Sequence, residues 1–249
     1  MAQELEMFIG MILELAVIII AIIILSFIHK KYVQKRHRYT LLLFYIFCCF
    51  LVTIFFTWLS KIIILFGNLD YVNFPSVPDP LTIESFFILR ITEYRFSFAA
   101  FVVGAALTYV LRVNLFDTTY KRPEQVFIYS FGLFIVIFEI FFYSKAISIL
   151  GVIGYVLLLL YVIIIYVPFT SRCIKAYKGI EEMVYKKGFL SLIVMSIGIC
   201  SILIFNMLDV VYIVLYDISF TVYYYISLVS MIVGYLGAYF GYIKPRTAT

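Results

Sequence analysis

Seven stretches of the sequence consist almost entirely of hydrophobic residues, and each is long enough to cross a lipid bilayer as a helix. A spanning helix needs about 20 mostly apolar residues. The stretches are continuous, whereas the strands of a transmembrane barrel would be segments of about 10 residues with alternating polarity. The pattern therefore predicts one all-α integral membrane domain over residues 1–249, a bundle of seven transmembrane helices. The predicted spans are residues 7–28, 40–66, 92–111, 126–143, 147–167, 188–215 and 219–243.

The chain between the second and third spans is the least regular part of this pattern. Residues 67–83 contain three prolines and are expected to form an exposed loop. The 28 residues from 84 to 111 are too many for one upright span. Either the third helix protrudes from the membrane, or residues 84–91 form a separate interfacial segment. Only residues 144–146 separate the fourth and fifth spans, which predicts a tight helical hairpin.

Composition and charge agree with a membrane protein and predict its orientation. Hydrophobic residues make up 65% of the chain and charged residues 13%, too few charges to coat a soluble globule. With the N-terminus outside, the segments on the cytoplasmic side hold 15 of the 19 Lys and Arg but only four of the 14 acids. The positive-inside rule therefore predicts an outer N-terminus and a cytoplasmic C-terminus in the cell membrane. The inner segments are residues 29–39, 112–125, 170–187 and the tail from 244.

Charged side chains within or next to the predicted spans all fall in the outer half of the membrane, where four acids balance four bases. Intramembrane charge is costly and usually faces a bundle interior or a water-filled cavity. We therefore take these residues, and polar neighbours on the sixth span, as candidates for ligand binding. The candidates are Glu14, Lys61, Arg90, Glu93, Arg95, Glu139, Asn206, Asp209 and Tyr212, and Lys145 completes the four bases.

The spacing of these residues suggests how they are arranged. Arg90 and Glu93 are three residues apart and could pair on one helix face. Asn206, Asp209 and Tyr212 share the same spacing on the sixth span. One interpretation is a polar cavity that opens outward between spans one, two, three, four and six. The other is a set of interfacial residues reaching the outer headgroups, together with one structural salt bridge.

The seventh span carries a stripe of small residues on one helix face. Such stripes let two transmembrane helices approach closely. The stripe could pack against span one or span six, or form the seam of a homo-oligomer. Residues 223–225, three tyrosines at the outer end, suit an aromatic belt, although they could also cap the cavity. The stripe consists of Ser227, Ser230, Gly234, Gly237 and Gly241.

Sequence motifs of catalysis, cofactor binding and nucleic-acid binding are missing. The two histidines, His29 and His37, both lie at the cytoplasmic boundary, which leaves none within the membrane for haem. The four cysteines show no metal-ligand spacing and are expected to be free. We find no metalloprotease, nucleophile-elbow or phosphate-binding motif. The protein is therefore not expected to be an enzyme, to hold a metal or cofactor, or to bind nucleic acid.

One short segment resembles a known class of seven-helix proteins. Residues 90–94, Arg-Ile-Thr-Glu-Tyr, are similar to the Arg-x-x-acid-aromatic segment of microbial rhodopsins, in which the acid is a counter-ion. The resemblance implies a sensory seven-helix topology with Glu93 as a buried acid near an arginine. It does not imply retinal binding, because the seventh span lacks the Schiff-base lysine and its nearest lysine is Lys244 at the inner edge.

These observations predict a sensor or receptor-like membrane protein. A small polar or zwitterionic ligand, or a proton, would bind in an outward-facing polar cavity. Because the chain has no effector domain, the signal would pass to a separate cytoplasmic effector through residues 170–187. Two alternatives remain open: a transporter or permease for a small solute, and a structural membrane subunit without a ligand.

Overall fold

The computed structural model describes residues 2–67, 82–117, 119–142, 148–216 and 220–239, and within these ranges every regular element is a helix. The eight α-helices of this part are α1 (Ala2–Lys35), α2 (Arg38–Phe66), α3 (Ile83–Thr92), α4 (Arg95–Phe116), α5 (Arg122–Ile137), α6 (Ser148–Gly179), α7 (Met183–Tyr216) and α8 (Val222–Ala238). A π-helical turn, Phe138–Phe142, continues α5.

Six of the described helices are long and apolar enough to cross a membrane, which confirms a multi-pass, all-α membrane protein. The described part of the seventh apolar run, Val222–Gly237, is shorter. The predicted 219–243 span continues into residues outside the described ranges, so the count of seven and the orientation stay predictions. The six stretches are Glu4–Gln34, Arg38–Phe66, Arg95–Phe116, Arg122–Phe142, Leu150–Gly179 and Tyr185–Ile213.

Several helices extend well beyond the predicted spans. The basic segment 29–39 is not a loop, because α1 continues to Lys35 and the chain turns only at Arg36, whose φ is +49°. Likewise α6 and α7 take up nearly all of 170–187 and leave only residues 180–182 between them. Hydropathy marks where a helix leaves the apolar layer, whereas Lys, Arg, Gln and Glu sustain a helix in water. The connections at residues 36–37 and 180–182 are therefore much shorter than the basic segments that contain them.

The residues before the third span form a separate helix, α3, and not an extension of the third helix. This was one of the two predicted alternatives for residues 84–91. A capping box starts α3: the Thr82 hydroxyl accepts from the Ser85 amide, and the Ser85 hydroxyl accepts from the Thr82 amide. Tyr94, with φ +61°, then separates α3 from α4 through a left-handed conformation. The predicted hairpin at 144–146, with Lys145, lies outside the described residues, as does Gly241.

The helices form a closed ring with α4 nearest its centre. Around the ring α1 contacts α2, α2 contacts α4, α4 contacts α5 and α6, and α7 and α8 close the path back to α1. Within its apolar window α4 is 61% buried, compared with 22–39% in the other five spans. Two of these neighbouring pairs are antiparallel: Glu14 near the start of α1 meets Lys61 near the end of α2, and Tyr39 at the start of α2 donates to the Asn114 carbonyl near the end of α4.

The small residues of α8 lie against α7. A Cβ placed on Gly198 of α7 would lie 3.0 Å from the Ser230 carbonyl oxygen and 3.1 Å from the Gly234 Cα, and one on Gly237 would meet the Val194 side chain at 2.8 Å. The Ser191 hydroxyl donates to the Gly237 carbonyl at 2.6 Å. Ser230, Gly234 and Gly237 therefore pack within the chain, as one of the predicted alternatives had it, and a homo-oligomer stays a prediction.

Replacing Gly198 by Ala should destabilise the bundle by about 1–3 kcal/mol, because the added methyl meets backbone atoms of α8 that cannot rotate away. The measurement is the free energy of unfolding in mixed micelles. Gly188→Ala in the same helix is the matched control, since a Cβ there meets nothing within 4 Å. Equal stability of the two variants would contradict the close contact between α7 and α8.

Candidate functional site

Glu14, Lys61 and Tyr224 form a buried polar cluster that joins three helices. It lies at the end of the bundle where α2 ends and α4 begins, which we call the outer end after its predicted orientation. The Lys61 Nζ donates to the Glu14 Oε1 at 2.8 Å, and the Tyr224 hydroxyl donates to the same oxygen at 3.0 Å. The Lys61 and Glu14 side chains are 2% and 3% exposed. The pair ties α1 to α2, and the tyrosine adds α8.

Aromatic rings surround the Lys61 ammonium. The ring centres of Tyr94, Phe220 and Tyr224 lie 5.5, 5.7 and 5.2 Å from the Nζ. A cation at this distance is attracted by the negative face of an aromatic ring, the more so where water is excluded. Tyr94 is the left-handed residue between α3 and α4, so the break in the chain places its ring beside the lysine. The aromatic side chains thus replace part of the hydration that Lys61 loses.

A second buried pair joins Arg95 of α4 to Glu139 of the π-helical turn. The Arg95 Nη1 donates to the Glu139 Oε2 at 2.5 Å, and the two side chains are 4% and 0% exposed. Gly154 of α6 makes room for this carboxylate, because a Cβ there would lie 3.0 Å from the Glu139 Cδ. A π-helical turn widens the helix and is frequent at functional sites. This pair holds α4 to the end of α5.

Each of the two buried glutamates has one oxygen without a hydrogen-bond partner among the described residues. These oxygens are Glu14 Oε2 and Glu139 Oε1. Buried polar atoms are nearly always hydrogen-bonded, so an orphaned one calls for an explanation such as a bound water, a proton or a ligand donor. Both carboxylates could accept one further hydrogen bond.

Arg90 and Asp209 bind backbone rather than each other's side chains. The Arg90 Nε donates to the Ile140 carbonyl at 2.8 Å, and its guanidinium lies 4.5 Å from the Phe86 ring centre. The predicted pairing of Arg90 with Glu93 is not among the ion pairs of the described residues. The Asp209 Oδ1 accepts from the Thr221 amide at 2.8 Å and from its hydroxyl at 2.6 Å. Asp209 thereby anchors the residue that caps α8.

The remaining candidates lie closer to the surface. Glu93, at the C-terminal end of α3, and Asn206 are half-buried. Tyr212 is 37% exposed, and its ring lies 5.4 Å from that of Tyr223 and 5.2 Å from that of Tyr216. Of the predicted face on α7, only Asp209 is buried. The candidates therefore form separate small clusters. Their most buried charges form two ion pairs, Glu14 with Lys61 and Arg95 with Glu139.

Three participants were not among the site residues predicted from the sequence. Tyr224 was predicted to lie in an aromatic belt or to cap the cavity, and its hydroxyl donates to Glu14. Gly154 gave no signal, because only the tertiary fold places it against Glu139. Gly10 lies one turn before Glu14, and a Cβ there would meet the Tyr224 hydroxyl at 3.0 Å. The spacing of Gly10 and Glu14 was a usable hint that α1 packs closely against another helix.

Ion pairs also tie the opposite, inner end of the bundle. Arg112 near the end of α4 pairs with Glu124 at the start of α5, and Asp117 pairs with Arg172 of α6. The Arg112 side chain is 3% exposed and its guanidinium lies 4.9 Å from the Tyr109 ring centre. These contacts fix the position of the inner part of α6 relative to α4.

A comparison with known protein families, curated proteins and solved structures finds no significant match to this chain. In the ranges that the structure describes, no three His, Cys, Asp or Glu side chains come together in a way that could hold a metal ion. The function must therefore be argued from the buried charges themselves.

Proposed function

We propose that this chain is a seven-helix sensor of the cell membrane, with the N-terminus outside and the C-terminus in the cytoplasm. A small polar or zwitterionic ligand, or a proton, would act at the buried charges of the outer end. The signal would pass to a separate cytoplasmic effector through residues 170–187. The observation that carries this proposal is the Glu14–Lys61–Tyr224 cluster, because it joins three helices and leaves one carboxylate oxygen with no hydrogen-bond partner among the described residues.

The energetics of buried ion pairs favour a functional role over a purely stabilising one. Moving two charges out of water costs several kcal/mol for each ion, and a well-packed apolar pair of similar volume is often equally or more stable. An ionisable residue inside a membrane domain is therefore a candidate functional site by default. Two such pairs at the same end of one small bundle, Glu14–Lys61 and Arg95–Glu139, strengthen this argument.

A change in the hydrogen bonds of the Glu14–Lys61–Tyr224 cluster would alter the packing of α1, α2 and α8. A proton on Glu14, or a ligand that competes for Lys61, would weaken the contact that holds α1 to α2. The Tyr224 hydroxyl donates to the same Glu14 oxygen, so a movement of Glu14 would also change the contact between α1 and α8. A ligand shifts such an equilibrium only by its difference in affinity for the two states. The Glu14–Lys61 bond provides that difference, because it can persist in one state and break in the other.

The fluorescence of Trp58 can report a change near the Glu14–Lys61–Tyr224 cluster. It is the only tryptophan of the chain and lies one helical turn before Lys61 on α2. Its Nε1 is buried and has no hydrogen-bond partner among the described residues. We expect the emission maximum of Trp58, excited selectively over tyrosine, to shift when purified protein is taken from pH 8 to pH 5 or exposed to a panel of the twenty amino acids.

Two variants separate a specific response from a general one. Glu14→Gln removes the negative charge that pairs with Lys61 and should abolish a shift caused by a ligand that competes for this pair. Glu4→Gln on the same helix is exposed at the surface and should respond as the wild type does. If neither pH nor any amino acid moves the emission of the wild type, the sensor proposal fails.

A structural membrane subunit without a ligand is the second candidate. One observation favours it: Glu14, Glu139 and Asp209 all have partners within the chain, so the outer end is held together without a ligand. In that case the double variant Glu14→Leu/Lys61→Leu should match the wild type in stability and in every interaction with other proteins. Loss of a pH-dependent Trp58 shift in an otherwise stable double variant would favour the sensor.

A further inference from the structure

We infer that the groove between α6 and α7 is a binding site for an anionic phospholipid, with one acyl chain in the groove and the headgroup at Lys175 and Lys178. The groove has a volume of about 640 Å³. This lies within the range of about 300–1,000 Å³ that is common for small-molecule sites. It lies at the inner half of the bundle and does not include the Glu14–Lys61 pair, so the inference is independent of ligand sensing at the outer end.

The surface of the groove is mostly apolar, and the groove opens toward the side of the bundle. Val167 on α6 and Ile197 and Ile204 on α7 line it and are 56%, 55% and 49% exposed. Both helices are membrane-spanning, so these side chains face lipid rather than water. Water would gain few hydrogen bonds in such a groove, whereas a hydrocarbon chain fills it and buries apolar surface.

One end of the groove is basic. Lys175 and Lys178 follow Val167 and Ile174 along the same side of α6. The groove is also lined by the hydroxyl residues Thr170, Ser171 and Ser201. In the described part of the chain, neither ammonium group has a carboxylate within salt-bridge distance. Val167 ends the predicted fifth span, and Lys175 and Lys178 follow it on the inner side of the apolar layer. The two lysines therefore lie where the headgroup of a lipid in the groove would be.

Charge complementarity selects the type of lipid. Two uncompensated lysines favour a headgroup with net negative charge over a zwitterionic one, in which the phosphate is already neutralised. Juxtamembrane lysines attract the anionic lipids of the cytoplasmic leaflet. The proposed orientation places Lys175 and Lys178 on that side.

The test compares lipids on the delipidated full-length protein in detergent. Binding of phosphatidylglycerol and of phosphatidylcholine with the same acyl chains is measured by native mass spectrometry and by the shift in melting temperature. We expect stronger binding of phosphatidylglycerol, and we expect Lys175→Gln/Lys178→Gln to weaken it by roughly 30-fold, the factor for two lysines at an anionic headgroup. Lys30→Gln/Lys187→Gln removes the same charge elsewhere and should change binding by less than about twofold, since surface substitutions away from the site have little effect.

A second pair of variants tests the apolar wall. Ile204→Trp fills the groove and should weaken the binding of phosphatidylglycerol, whereas Val229→Trp on the exposed side of α8 should not. Equal binding of the two lipids, equal loss in the two double-lysine variants, or an unchanged affinity in Ile204→Trp would overturn the proposal. Inorganic phosphate that stabilises the protein as much as the lipid would also overturn it, because the site would then recognise a free anion.

Discussion

Replacing Lys61 by Met should lower the free energy of unfolding by about 3–5 kcal/mol, the usual result of leaving one member of a buried ion pair without its partner. Glu14 would remain 3% exposed, with the Tyr224 hydroxyl as its one remaining donor among the described residues. The aromatic rings around Lys61 would then face a neutral side chain and lose their attraction for the ammonium. The measurement is unfolding in mixed micelles, followed by circular dichroism.

Two further variants make this prediction specific. Lys187→Met removes a lysine that is exposed at the inner end and should change stability by no more than about 0.5 kcal/mol. The double variant Glu14→Leu/Lys61→Met removes both charges and should recover most of the loss, because no uncompensated charge remains. A loss below about 1 kcal/mol in Lys61→Met would mean that Glu14 is hydrated when its partner is removed, contrary to the enclosed cluster.

Replacing Gly154 by Ala should cost about 2–4 kcal/mol, because the methyl group takes the space of the Glu139 carboxylate and pulls it away from Arg95. The clash is with a charged group that is 0% exposed. An alanine at an open helical position would instead stabilise by up to about 1 kcal/mol. Gly188→Ala, with nothing within 4 Å of its Cβ, is expected to show that smaller effect.

A double-mutant cycle identifies the cause of the Gly154→Ala effect. If the methyl acts through Glu139, it should cost much less in a Glu139→Ala background, where the carboxylate is already absent. Additive effects of the two substitutions would show that Gly154 matters for another reason, such as the packing of α6 against α4. The cycle therefore tests the geometry around Arg95 rather than stability alone.

Hydropathy predicted the helices of the bundle well because the bilayer imposes a simple rule on side chains. Runs of about 20 apolar residues have no stable alternative to a helix in lipid, so the six long apolar helices could be predicted without tertiary information. The residues at which the helices end could not be predicted in this way. The basic residues 29–35 continue α1 outside the apolar layer, where hydropathy carries no signal but helix propensity still acts.

The outer charges could be recognised as a group, but their partners could not. Charge in a span is rare enough to be noticed in a sequence, and the balance of acids and bases indicated pairing. The pairs that form are separated by 47 residues for Glu14 and Lys61 and by 44 for Arg95 and Glu139. Only the rotation and packing of whole helices decide such contacts. The bond from the Arg90 Nε to the Ile140 carbonyl, across 50 residues, could likewise not be predicted from spacing.

The proline in α6 makes this helix easier to bend than its neighbour α7. Pro168 lies inside this helix of 32 residues, removes one backbone hydrogen bond and creates a point of easy bending. Its neighbour α7 contains no proline over 34 residues and is about 51 Å long. Asp209 lies near one end of α7 and Met183 at the other. A tilt imposed at Asp209 should therefore be transmitted along α7, which lacks a proline, to the opposite side of the membrane. The neighbouring α6 should instead bend at Pro168.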